Sequence, residues 1–323
     1  MRPPPTEFDR QYTEQRHSID LARRYLEKEG FTRMQRALVK DVEKGKLTQQ
    51  EGAGAVRYAL LAVVERVAER VGHTRYVDLM KDPELTDALR FAMDDISERH
   101  RVEAPEAREQ LRQSTFQTVL RHWHLVVHEQ RGRQRYELTA DLARRLLKET
   151  TGEVPCDGLR LPVDSLLLVV PEDAGLTGRL PGGVTAPVTE IYAVESPGPQ
   201  QGRAWFLWMC LREPSGATSY SLVNVYLAPG ATLEQAMAFT RSQGGPGQDP
   251  AWEACCRLLA GVVRHLAGGS PPRDEWYDEE ARELHEKLSA LPKGAKQERE
   301  ALRERLRAIG PGRRIILEDA PPK

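Results

Sequence analysis

Ser165-Leu-Leu-Leu-Val-Val-Pro171, Val188-Thr-Glu-Ile-Tyr-Ala-Val194, Trp205-Phe-Leu-Trp-Met-Cys-Leu211 and Tyr220-Ser-Leu-Val-Asn-Val-Tyr-Leu227 are apolar runs of strand length, punctuated by Pro and Gly. Upstream of Gly152 the pattern is different: apolar residues recur at helical spacing on a charged background. Periods of 3.6 and of 2 bury different faces and so build different layers. The change of period predicts an α+β protein, with a helical N-terminal module followed by an antiparallel or mixed sheet covered by helices. Helices cluster before and after the strands and do not alternate with them, which argues against a doubly wound fold.

Working outward, Leu166 to Val170 lacks polar alternation and reads as a central strand buried on both faces. Leu159-Arg-Leu-Pro162 and Arg313-Arg-Ile-Ile-Leu-Glu318 read as further strands. Thr232-Leu-Glu-Gln235 is a capping box that opens a helix. In Pro250 to Leu266 the apolar residues, among them Trp252, Cys255, Cys256, Leu259 and Val262, wrap more than half the circumference. That helix is expected to pack across the sheet, against Leu167, Val169 and Leu207. An acidic helix near Tyr277 to Leu291 and a basic one near Ala295 to Ile309 are expected to pair antiparallel, with Leu284, Leu288, Leu302 and Leu306 as the seam. Upstream, Thr48-Gln-Gln-Glu51 and Asp82-Pro83-Glu84 are helix starts, and the first helix is expected at Ser18. His124 to Gln130 and Gln134 to Thr139 flank Arg131-Gly-Arg133 in the manner of a hairpin. The expected segments are a disordered 1–14, a helical module 15–123, a basic hairpin and connecting helix 124–150, a sheet-bearing module 151–270, and a C-terminal helical hairpin with a final strand 271–323.

The chain has 323 residues, enough for two domains with a real core. No apolar run approaches the roughly 20 residues that span a bilayer. A cytoplasmic protein with no membrane partner is expected. The four cysteines, Cys156, Cys210, Cys255 and Cys256, form no CxxC spacing and read as buried apolar residues. Neither a metal nor a cofactor is expected. The net charge of -1 gives no global pull toward nucleic acid or anionic lipid. Locally, Arg108 to Lys148 holds nine Lys/Arg against four Asp/Glu, and Lys293 to Arg314 holds eight against three, each a surplus of +5. Such stretches serve as docking surfaces or line solvated helix faces.

From Tyr136 to Leu317 the chain resembles a broad family of uncharacterised bacterial proteins. The likeness rests on Tyr136-Glu-Leu-Thr139 with Leu142-Ala143, Leu159-Arg-Leu-Pro162, Ser165 to Pro171, Ile191-Tyr-Ala-Val194, Thr232-Leu-Glu-Gln-Ala236 and Gly310-Pro-Gly-Arg-Arg-Ile-Ile-Leu317. These are turn and core residues. The resemblance implies a shared fold and no known activity.

His122, His124 and His128 share a strand face but are too far spread for one metal, about 20 Å at ~3.3 Å per residue. On a helix, His124 and His128 become an i, i+4 pair. Asp94, Asp95 and Glu98 could hold Mg²⁺ or line a solvated helix face. No serine sits in a G-x-S-x-G elbow, and the glycine-rich loops Gly178 to Gly183 and Gly244 to Gly247 match no phosphate cradle. No catalytic residue is assigned. Arg131, Arg133, Arg135, Arg144 and Arg145 are the candidates for nucleic-acid contact. Trp205, Trp208, Arg299, Arg303 and Arg307 are the candidates for partner contact. The expected function is that of a non-enzymatic binding or adaptor protein of a bacterial multi-protein assembly, with other proteins as partners and nucleic acid as a second class. The alternative is an enzyme acting on nucleotides or nucleic acid, with a site in loops 172–187 and 196–202. The oligomeric state is left open.

Overall fold

The computed structural model describes residues 6–71, 80–100, 104–130, 134–163, 165–180, 183–198, 201–216, 218–243, 251–268, 272–292, 294–309 and 312–318. The described residues form two compact units, one up to Val127 and the other from His128 onward.

The first unit is helical: α1 (Glu7–Glu29), α2 (Phe31–Glu43), α3 (Gln49–Val71), α4 (Pro83–His100) and most of α5 (Pro105–Gln130). The first helix starts at Glu7, not at Ser18. The signal missed in sequence is the Thr6/Asp9 capping box, in which the Asp9 carboxylate accepts from the Thr6 N–H at 3.0 Å. Gly30, at φ 73, separates α1 from α2 without a loop. The expected Thr48/Glu51 box is formed, and Glu51 accepts from the Thr48 N–H at 2.8 Å. In α3, a Cβ on Gly54 would stand 2.6 Å from the Ser18 hydroxyl, so the glycine lets α1 and α3 close together. Ala22 and Leu26 on α1, and Ala55, Ala62, Val63 and Val67 on α3, are buried.

The second unit holds a mixed eight-stranded sheet. Its strands are β1 (Arg135–Leu138), β2 (Ser165–Val169), β3 (Thr177–Arg179), β4 (Thr185–Pro197), β5 (Arg203–Arg212), β6 (Thr218–Leu227), β7 (Arg273–Trp276) and β8 (Arg313–Leu317). They lie in the order β6-β5-β4-β2-β1-β8-β7, and β3 pairs on β4. β1 runs parallel to both β2 and β8, and the other pairings are antiparallel. β2 is internal, as its unbroken apolar run demands. One sheet face carries Leu166, Leu168, Ile191, Trp205 and Leu207 into the main core. The same core takes residues of α6 (Ala140–Glu149), α7 (Leu233–Ser242) and α8 (Ala251–Ala267). A Cβ on Gly261 of α8 would lie 2.5 Å from the Thr150 hydroxyl, which marks the close approach of α8 to the end of α6. At the C-terminal end, α9 (Glu279–Ala290) and α10 (Lys296–Ile309) pack on each other, with Leu284 buried and Leu288, Leu302 and Leu306 half-buried.

Three expectations are corrected. Residues 124–130 are the last turns of α5, so no hairpin joins them to β1, which pairs instead with β2 and β8. The apolar run His122 to Val127 favours burial in either conformation, and continuity with the preceding turns decided for helix. Leu159 to Leu161 form no strand. The Arg203 guanidinium takes the carbonyls of Leu159 and Cys156 at 2.8 and 2.7 Å, which leaves them no place in a ladder. Finally, the core on the α8 side uses Leu166 and Leu168, not Leu167 and Val169. Alternation along β2 sends the latter to the opposite face.

Candidate functional site

In the helical unit, α2 repeats apolar residues at Phe31, Met34, Leu38 and Val42, an i, i+3, i+7, i+11 stripe. Opposite it, α3 presents small residues, Gly52 and Ala53, then Val56 and Leu60. Gly52 lets α3 approach α2 closely, since a Cβ there would stand 2.6 Å from Val42 Cγ2, and Phe91 of α4 and Leu111 of α5 complete the walls. The result is an open cleft of about 970 Å³. Met34 and Leu38 form a buried floor, whereas Phe91 is 37% exposed and Val39 50% exposed at the mouth. The rings of Phe31 and Phe91 meet edge to face at 5.5 Å. Among the charged lining residues, Arg57 and Arg121 face a single acid, Glu43. Arg57 also lies over the Tyr58 ring at 5.5 Å. Sequence reasoning missed this cleft. The available signal was that α2 carries a fifth apolar residue, Val39, outside the stripe a two-sided packing needs.

The same unit holds a buried ionic cluster. Glu65 of α3 accepts from both terminal nitrogens of Arg16, at 2.8 and 2.9 Å, and lies 3.1 Å from His122 Nε2. Burial pushes the Glu65 carboxyl up. The hydrogen bonds and charges of His122 and Arg16 overrule it and bring the carboxyl down to about 2. A carboxylate tied down on all sides fixes three helices and has no room for a substrate.

In the sheet unit, His128 Nδ1 lies 3.0 Å from Ser165 Oγ, which lies 3.1 Å from the Tyr192 hydroxyl. All three are buried, and the His128 and Tyr192 rings meet edge to face at 5.0 Å. Burial pushes the Tyr192 phenol far up, against the bonds from Ser165 and His128. A serine beside a histidine has the composition of a nucleophile and its base. Here the Ser165 side chain is closed off and bridges two groups, which makes it a tie between the last turn of α5 and strands β2 and β4.

The residues singled out in sequence fall in separate places. His122, His124 and His128 lie on one helix but serve different partners. Burial alone lowers the His124 imidazole well below its ordinary range. Among the described residues no group of three metal-ligating side chains occurs. Asp94 and Glu98 are exposed. Arg131, Arg133 and the side chains of Arg307 and Asp95 lie outside the described residues, as does the Gly244 to Gly247 loop. Arg135 is buried, and its Nε stands 2.7 Å from Glu137. Arg144 and Arg145 pair with Asp141 and Glu149 at 2.6 and 2.9 Å. Trp205 is in the core and donates to Glu195 at 3.1 Å, and Trp208, on the other face, is also buried. Arg299 caps the end of α9 through the carbonyls of Leu288 and Leu291, and Arg303 pairs with Glu300. The loop 172–187 contains a short 3-10 turn and β3.

No family model matches the chain, and no curated protein matches it. Among solved structures, the crystal structure of AcrVA2 is similar at 15% identity and a TM-score of 0.34, over 49% of this chain and 51% of that one. The match therefore spans about half of each chain. No helix among the described residues is long and apolar enough to cross a membrane.

Proposed function

We propose that the protein is a non-enzymatic binding protein, an adaptor of a multi-protein assembly, and that its helical unit receives an amphipathic helix of a partner. The observation that supports this is the cleft between α2, α3, α4 and α5, with Phe91 and Val39 exposed at its mouth. An apolar groove of this kind takes a helix through anchors at i, i+3 or i+4, and i+7. The 13 residues of α2 run about 20 Å, which matches roughly four turns of a bound helix. Arg57, which lines the cleft, favours a partner helix with an acid beside its apolar stripe. Of the arginines considered for nucleic acid, Arg135, Arg144 and Arg145 are engaged in ion pairs, so the reading rests on a protein partner.

Site-specific photo-crosslinking in the native host tests it. A crosslinker replacing Val39 should capture a partner that one replacing exposed Thr86, which does not line the cleft, does not. A synthetic peptide of the captured helix should then bind the full chain, and Phe91→Ala or Arg57→Glu should each weaken it about tenfold, near 1.4 kcal/mol. Equal capture from both positions, or unchanged affinity in both variants, overturns the reading.

A further inference from the structure

The two ends of the sheet are built differently. β7 is four residues long, and three of the four, Arg273, Asp274 and Glu275, are charged. Short, charged edges resist addition of another strand. β6, at the other end, is ten residues long and has no charge, no Pro and no Gly. Its pairing with β5 runs unbroken from Arg203↔Leu227 to Arg212↔Thr218, with no bulge to twist the edge away.

Which part of this edge is open follows from one contact. The Thr240 hydroxyl of α7 lies 3.3 Å from the Asn224 carbonyl oxygen, so that carbonyl points away from β5. In an antiparallel pair the N–H and C=O of one residue point the same way, and alternate residues match. Leu222 and Thr218 therefore also direct their backbone groups outward. α7 packs on the C-terminal part of β6, where Phe239 stands 6.5 Å from the Tyr226 ring and remains 51% exposed. The stretch from Thr218 to Leu222 is half exposed and, among the described residues, has no strand on the side away from β5.

We infer that this stretch pairs with the same stretch of a second copy of the chain, antiparallel about a two-fold axis, so that two sheets join into one. An uncharged strand is self-compatible, because no register sets like charges opposite each other. A two-fold contact also closes both open edges at once and leaves none for further growth. About five residues of strand cover roughly 16 Å. Such a contact, even with Phe239 at its end, is smaller than a standard interface, so the dimer should be weak, with Kd on the order of 1–100 μM. The inference is independent of the helical cleft.

Sedimentation velocity of the full chain from about 1 to 300 μM brackets that range. The expected result is a monomer at the low end passing to a dimer at the high end. The Leu222 amide should exchange with deuterium more slowly as concentration rises. Tyr220 lies at the middle of the stretch and meets its own copy across the axis, so Tyr220→Lys and Tyr220→Glu should each stay monomeric, and their equimolar mixture should dimerise. Should the Tyr220 variants fail to fold, the concentration dependence of the wild-type Leu222 amide carries the test. A wild type that stays monomeric with a concentration-independent Leu222 amide, or a folded Tyr220→Lys chain that dimerises as wild type does, overturns the inference.

Discussion

Ser165 Oγ stands between His128 Nδ1, at 3.0 Å, and the Tyr192 hydroxyl, at 3.1 Å, with all three side chains buried. One hydroxyl thus satisfies polar groups from a helix and from a neighbouring strand. Ser165→Ala removes both bonds at once, and weakening buried polar groups in this way costs about 1–3 kcal/mol. Urea denaturation should show a loss in that range. Tyr192→Phe leaves the Ser165–His128 bond in place and should cost less. A Ser165→Ala chain as stable as wild type would refute the bridging role.

Glu65 gives the helical unit an acid-labile tie. Its carboxyl titrates near 2 in the folded chain, below its ordinary 4.5, because His122 and Arg16 favour the charged form. A depressed folded value adds stability that is present above the unfolded pKa and is lost as pH falls through the folded one. Unfolding free energy should therefore decline between about pH 4.5 and 2, by on the order of 3 kcal/mol from this group. Glu65→Gln should flatten that decline while lowering stability at neutral pH. An unchanged acid slope in Glu65→Gln would place the effect elsewhere.

The α9–α10 pair depends on its leucines and on one arginine. Arg299 donates to the Leu288 and Leu291 carbonyls, whereas Arg303 meets Glu300 on the exposed face. Arg305 makes a cross-helix ion pair with Glu280, also exposed. Exposed pairs contribute about 0–1 kcal/mol. Leu302→Ala with Leu306→Ala should be the most damaging change, Arg299→Ala intermediate at about 1 kcal/mol, and Arg303→Ala near neutral. Thermal melts of the three variants give the ranking directly. Arg303→Ala proving worse than Arg299→Ala would contradict it.

All four cysteines are buried. Burial pushes the Cys156 thiol up to about 11 and Cys256 higher still. Since the thiolate is the reactive form, a thiol reagent at neutral pH should label none of the four rapidly in the native chain and all four in denaturant. Fast native labelling at Cys255 or Cys256 would show that α8 is open to solvent.

Hydrophobic period alone sufficed for the fold class, the internal position of β2, the covering helix at Trp252 to Val262, and the leucine seam. Each depends on which residues of one short segment are apolar, and burial of an apolar face is a local demand that a sequence displays. Caps were equally legible where both members lie within four residues, as at Thr48/Glu51 and Thr232/Gln235, and the Thr6/Asp9 box was there to be found. What tertiary structure alone decided are relations between distant residues. His122 to Val127 is apolar enough for strand or helix, and only the surrounding fold settles it as helix. Glu65 and His122 are 57 positions apart, and His128 and Ser165 are 37 apart. The cleft exists because residues of four helices, among them Leu38, Val56, Phe91 and Leu111, wall a volume that none of them fills, and the open half of β6 because Thr240 reaches only as far as Asn224. Such features are set by how far packed elements leave volume and backbone groups unclaimed, a property of their mutual placement that no single segment encodes.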